Sequence, residues 1–113
     1  MLSRLAFALL LIASAGGDGV ARWDARRHPA ATHTITIDKM AFAITPANLY
    51  VGDTLIWVNH DLFRHTATAD DHSFDMDIAA GKSVRTVLAQ AGIVSFHCTY
   101  HPGMKGTLVI IPA

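Results

Sequence analysis

Cysteine is nearly absent: Cys98 is the only one in 113 residues, so no disulfide can form within the chain. Glutamate is missing altogether, leaving 9 aspartates against 9 lysines and arginines and a formal charge of zero at pH 7. That balance argues against nucleic acid or another polyanion as a partner. Sustained helical periodicity is lacking beyond the N-terminal segment, which excludes a helical bundle. Long apolar runs are also lacking. The one that exists, residues 5–13, is too short to span a bilayer comfortably. It follows the basic start Met1-Leu2-Ser3-Arg4 and leads into Ala13-Ser14-Ala15, an A-x-A cleavage pattern, with Gly19-Val20-Ala21 as a second. Residues 1–21 therefore read as a secretory signal peptide, cut after Ala15 or Ala21. The protein is expected in the periplasm or otherwise exported, with no stable membrane span.

In an oxidising compartment a lone thiol is a liability unless it is buried or bound. Residues 22–31 are polar, basic and interrupted by Pro29, and read as an N-terminal arm or an extra edge strand. From Thr32 the pattern is short β-strands between turn signals, at residues 34–38, 46–51, 54–59, 64–69, 83–88, 93–98 and 106–111. Ala80-Gly81 is the turn expected between the fourth and fifth of these. Such closely spaced strands predict an all-β, Greek-key β-sandwich of about seven to eight strands over residues 32–113.

What is present is concentrated in Phe96-His97-Cys98-Thr99-Tyr100-His101-Pro102-Gly103-Met104. A thiolate, an imidazole and a thioether stand there at three-residue intervals. With one more imidazole they make the trigonal His₂Cys set, with a weak axial Met, of a type 1 blue-copper site. His65, at the end of the segment after Trp57, is the candidate for that second imidazole. Alternation along residues 93–98 turns Val94, Phe96 and Cys98 inward and His97 outward. The expected metal ligands are His65, Cys98, His101 and Met104, holding one copper ion. His28 and His33 are expected to be solvated, His60 and His72 to lie in polar loops, and Met40 and Met76 to fill gaps.

These features resemble the cupredoxins, in Val51-Gly52-Asp53-Thr54, in the Trp57-to-Asn59 segment followed by His65, and in the closing loop. The Cys98-x-x-His101-x-x-Met104 spacing is most similar to the amicyanin loop, shorter than that of plastocyanin. The resemblance covers most of the chain from Thr32 and implies a monomeric electron carrier cycling between Cu(I) and Cu(II). It implies redox-protein partners, a cytochrome or oxidoreductase as donor and acceptor, docking near His101 on an apolar patch of Leu62, Phe63, Pro102 and Gly103. Two positions depart from the pattern. Thr66 stands where the family often has Asn, and its hydroxyl is expected to bond Thr99. Tyr100 stands where relatives often have Pro, and its N–H is expected to point at the Cys98 sulfur.

Two other functions fit some of the same residues. A copper chaperone or buffer would use the loop histidines and methionines as several weak sites. A nitrite-reductase-like enzyme would use His97, beside Cys98, to reach a second metal, but needs histidines from another domain or subunit. Zinc would accept the same Cys and His donors. The ligand set favours an electron carrier rather than an enzyme.

Overall fold

The computed structural model describes residues 28–113, and the proposed signal peptide and residues 22–27 of the arm lie outside them. Among the described residues nine strands run in order as β1 (Thr32–Asp38), β2 (Ala41–Phe42), β3 (Leu49–Tyr50), β4 (Thr54–Asn59), β5 (His65–Ala69), β6 (Asp75–Ile78), β7 (Ser83–Val87), β8 (Gly92–His97) and β9 (Lys105–Ile111). They form a four-stranded sheet, β2-β1-β4-β7, and a five-stranded sheet, β3-β9-β8-β5-β6. The result is an all-β sandwich, as the strand spacing predicted. Among the described residues no helix is long and apolar enough to cross a membrane.

Alternation dictates which side chains meet between the sheets. Ile35 and Ile37 of β1, Leu55 and Trp57 of β4, Phe96 of β8 and Leu108 and Ile110 of β9 are all buried. Trp57 is the hub. Its ring lies 5.1 Å from Phe96, 5.8 Å from Phe74 and 6.0 Å from Phe42, the Phe96 and Phe42 contacts edge-on. Parallel pairing of β1 with β4 and of β3 with β9 joins segments distant in sequence.

Two strands lie where none was expected. β2 pairs with β1 through Ile37↔Phe42 and Asp38↔Ala41, so Lys39 and Met40 form a two-residue hairpin turn. Both have positive φ, 52° and 61°, the geometry of a turn that favours Asn-Gly. Met40 is therefore an exposed turn residue rather than a gap-filler. β6 falls between the strands expected to be joined by Ala80-Gly81, and that turn connects β6 to β7 instead.

The N-terminal histidines are tied down rather than solvated. His28 stacks on Tyr50 with ring centroids 4.1 Å apart. His33 Nε2 lies 3.0 Å from Oδ2 of Asp53, a carboxylate that is only 2% exposed. Asp53 also accepts the N–H of Ala31 at 2.8 Å and of Tyr50 at 3.0 Å, so one side chain pins the start of β1 to the β3–β4 turn. Burial alone would raise its pKa, but these N–H bonds and His33 outweigh burial and hold it below the usual carboxylate range. A carboxyl depressed by folding stabilises the fold above its unfolded pKa, near 3.8, and that contribution is lost as pH falls through the lower folded value. Urea midpoints measured from pH 6 downward should accordingly drop below about pH 4. Asp53→Asn should flatten that acid limb; an unchanged limb would remove Asp53 from the account.

Candidate metal centre

At one end of the sandwich, β5 opens on His65 and β8 runs out into Cys98. The chain then turns back through His101 to Met104, and β9 departs at Lys105. The turn is closed by the N–H of Met104 donating to the His101 carbonyl at 2.9 Å, with Pro102 at the second position, where its fixed φ suits a turn. The Cys98 N–H donates back to the Met104 carbonyl at 3.1 Å. His65 and Cys98 are fully buried, and Met104, 6% exposed, shares the core cluster with Cys98. His101 alone of these four side chains is half-buried.

Donor atoms of His65, Cys98 and His101 all lie within 4.8 Å of one another, the one such cluster of three His, Cys, Asp or Glu among the described residues. Cys98 Sγ is 3.7 Å from His65 Nδ1 and 3.9 Å from His101 Nδ1. A single thiol proton cannot serve both nitrogens. A metal about 2.3 Å from sulfur and about 2.0–2.1 Å from nitrogen, at tetrahedral to trigonal angles, sets those donors about 3.5–3.8 Å apart. The spacing therefore suits a shared ion.

The other nitrogen of His65 explains its orientation. Nε2 lies 2.8 Å from Oδ2 of Asp61, and a carboxylate only accepts, so Nε2 carries the proton and the Nδ1 lone pair faces the sulfur. Carboxylate support of this kind both orients a ligating imidazole and raises its basicity. Asp61 also accepts the N–H groups of Lys39 at 2.7 Å and Met40 at 3.0 Å, the two left-handed residues of the β1–β2 turn. Burial would raise the Asp61 pKa, but the bonds from Met40, His65 and Lys39 outweigh it and keep the group ionised well into acid. Asn59 organises the same loop. Its Oδ1 accepts the Asp61 N–H at 2.9 Å, and its Nδ2 donates to the carbonyls of Phe63 and Ile78 at 2.8 Å and 3.0 Å.

The sulfur has a donor, though not the expected one. Among the hydrogen bonds of the described residues, the N–H reaching Cys98 Sγ belongs to Thr66, at 3.3 Å; none comes from Tyr100. Strand β5 supplies it because His65 faces inward and the following peptide lies beside Cys98. Thr66 also meets Thr99 as expected, its hydroxyl accepting the Thr99 N–H at 2.8 Å. His97 points outward, with Nδ1 2.6 Å from Asp70. His60 and His72 are exposed, and Met76 packs against the core while accepting the Thr86 hydroxyl at 2.8 Å. Asp61 was missed in the sequence, although a carboxylate four residues before a candidate ligand was a usable signal.

No protein-family model matches the chain. The amicyanin of Paracoccus denitrificans is 27% identical over 82 residues, covering 67% of this chain and 63% of that protein's own length. The chain thus spans slightly under two thirds of this relative. The amicyanin of Paracoccus versutus is 25% identical over 88 residues, 73% of this chain and 67% of that one. Among solved structures, an amicyanin variant in its reduced state superposes with a TM-score of 0.61 at 25% identity, covering 70% of this chain and 81% of that chain. A Cu(I) form of another variant gives 0.61 at 24% identity with the same coverage. The protein is cupredoxin-like.

Proposed function

We propose that this protein is an exported electron carrier in which His65, Cys98 and His101, with Met104 as a fourth and weaker donor, would hold one type 1 copper ion. The observation that carries the reading is the pair of Sγ–Nδ1 separations, 3.7 Å and 3.9 Å, with the His65 tautomer set by Asp61. Bound copper supplies one-electron exchange between Cu(I) and Cu(II), and a mixed sulfur and nitrogen set is acceptable to both. The residues do the rest. Burial of Cys98 and His65 excludes water, and the Thr66 N–H and Asp61 hold sulfur and imidazole in place whatever the oxidation state.

His101 is the ligand nearest solvent, and its ring centroid stands 5.3 Å from that of His65. The two loops carrying these imidazoles also present Leu62, Phe63 and Tyr100, 90%, 60% and 52% exposed. A redox protein, a cytochrome or oxidoreductase, docks on that apolar surface and exchanges an electron by way of His101. Residues 1–21 act as the signal peptide that delivers the arm of residues 22–31 and the domain of residues 32–113 to the periplasm as a monomer. Carriage of electrons rather than catalysis is favoured because His97, which an enzyme would use to reach a second metal, is engaged by Asp70.

Titration of the metal-free protein with copper(II), followed by cycles of ascorbate and ferricyanide, tests the reading. One equivalent should bind tightly, give an intense blue or green colour, bleach on reduction and remain bound throughout. Several weak equivalents, or release on cycling, would favour a copper buffer or chaperone.

A further inference from the structure

Outside the ligand set, a line of hydroxyls runs from the edge of the five-stranded sheet to the cysteine loop. Thr66 and Thr68 lie on the face of β5 opposite His65 and are 5% and 3% exposed. Thr68 pairs across the strands with Asp75 of β6, and its hydroxyl donates to Asp75 Oδ1 at 2.8 Å. That donation commits the one proton Thr68 has, because an ionised carboxylate only accepts. Thr68 Oγ1 must then act as acceptor toward Thr66 Oγ1, 2.9 Å away, and Thr99 Oγ1, 3.2 Å away. Thr66 can place its own proton on Thr68, at 2.9 Å, or on Thr99 Oγ1, at 3.3 Å; the shorter contact takes it, and the Thr66 lone pairs accept the Thr99 N–H at 2.8 Å. The bonds all run one way, from the Thr99 peptide through two hydroxyls to Asp75.

We infer that Asp75 is a positioning residue for the metal centre, acting through Thr68 and Thr66 to hold the Thr99 peptide that follows Cys98. Bonds in a chain polarise one another, and a terminal charge strengthens each of them. Thr66 is the pivot. Its hydroxyl anchors Thr99 on one side of the cysteine, while its N–H donates to Cys98 Sγ at 3.3 Å. A single residue thus links an exposed carboxylate on β6 to both the backbone and the sulfur of Cys98. The consequence at the sulfur rests on the proposed copper site; the relay itself does not.

Four variants of the full chain test it: Asp75→Asn, Thr68→Val, Thr68→Ser and Asp77→Asn. Asp77 lies on the same strand and face, directly across from Thr66, but its carboxylate pairs with Arg64 and makes no hydrogen bond to the threonines, so its substitution removes equal charge without breaking a bond of the relay. The first readout is amide hydrogen exchange at Thr99 in the metal-free protein. Exchange should quicken about tenfold in Asp75→Asn and Thr68→Val and stay near wild type in Thr68→Ser and Asp77→Asn. The second is the reduction potential of copper-loaded Thr68→Val, which keeps every charge. It should fall, because a loosened Thr66 N–H leaves more electron density on the thiolate. Unchanged exchange in Asp75→Asn, or an equal change in Asp77→Asn, would overturn the relay. If Thr68→Val does not fold, the exchange comparison of Asp75→Asn, Thr68→Ser and Asp77→Asn still decides. A protein that takes up no copper would sink the proposed function and leave the exchange result standing.

Discussion

Cys98→Ser should remove the blue colour of the copper-loaded protein entirely. The intense band of such a site is charge transfer from a thiolate, and a serine hydroxyl is neither soft nor ionised at neutral pH. The imidazoles of His65 and His101 and the thioether of Met104 would remain, so residual, weaker copper binding without strong colour is expected. Folding should survive with a loss of about 1–3 kcal/mol, because Cys98 is wholly buried and a hydroxyl there must find partners. The Thr66 N–H and the two imidazoles are the groups available to it. Copper titration followed by absorption, with circular dichroism to confirm the fold, separates loss of the chromophore from loss of structure. A folded serine variant that still turns blue would exclude Cys98 as the ligand.

The closing loop was legible because its chemistry is local. Cys98 and His101 are three residues apart, and the turn with Pro102 and Gly103 at its centre keeps their donor atoms together. His65 was reachable only as the imidazole beginning a strand after the Trp57 segment. Its supports were not legible. Asp61 matters because it meets both His65 and the turn of a hairpin 21 to 22 residues upstream, a non-local coincidence that spacing does not reveal. The sulfur donor was assigned to Tyr100 by reasoning within the loop, but the N–H comes from Thr66 on a neighbouring strand. Likewise His33 reads as a solvated residue in a polar stretch, yet it meets a buried carboxylate twenty residues ahead.

In the fold, strands with clean alternation were found: β4 falls on the expected residues, and β5, β7 and β8 lie within one residue of them at each end. The two that were missed fail for physical reasons. β2 is two residues long, and its turn, Lys39-Met40, carries no glycine or asparagine to announce positive φ. Asp61 substitutes for that missing signal by accepting both turn N–H groups. β6 reads Asp-Met-Asp-Ile, in which the aspartates that protect an exposed edge also disguise the strand. Gly106 was noticed only as the start of a strand, though close packing is what requires it.

Gly106→Val should be among the most destabilising single changes in the described fold. Gly106 pairs with Phe96 across β8 and β9, and the Phe96 ring lies directly over it. A Cβ built there would overlap Phe96 Cζ and stand 2.8 Å and 2.9 Å from Cε1 and Cε2. The glycine is needed for this approach and not for an unusual backbone angle, since its φ is not positive. The ring has no easy retreat: Phe42 and Trp57 meet it edge-on at 4.9 Å and 5.1 Å, and Trp57 is itself wholly buried. Overpacking of this kind costs about 1–3 kcal/mol, and a branched side chain against a boxed aromatic belongs at the upper end. At about 4–8 °C per kcal/mol for a domain of this size, the melting temperature should fall by roughly 10–20 °C. Because Phe96 lies two residues before Cys98, which directly follows the end of β8, a displaced ring also moves the ligand, and the charge-transfer band of any copper-loaded variant should shift. Phe96→Leu in the same chain makes room, so the double variant should recover part of the loss, a coupling that a thermal-melt double-mutant cycle measures directly. Strict additivity of the two substitutions would show that the Phe96 ring is not what Gly106 accommodates.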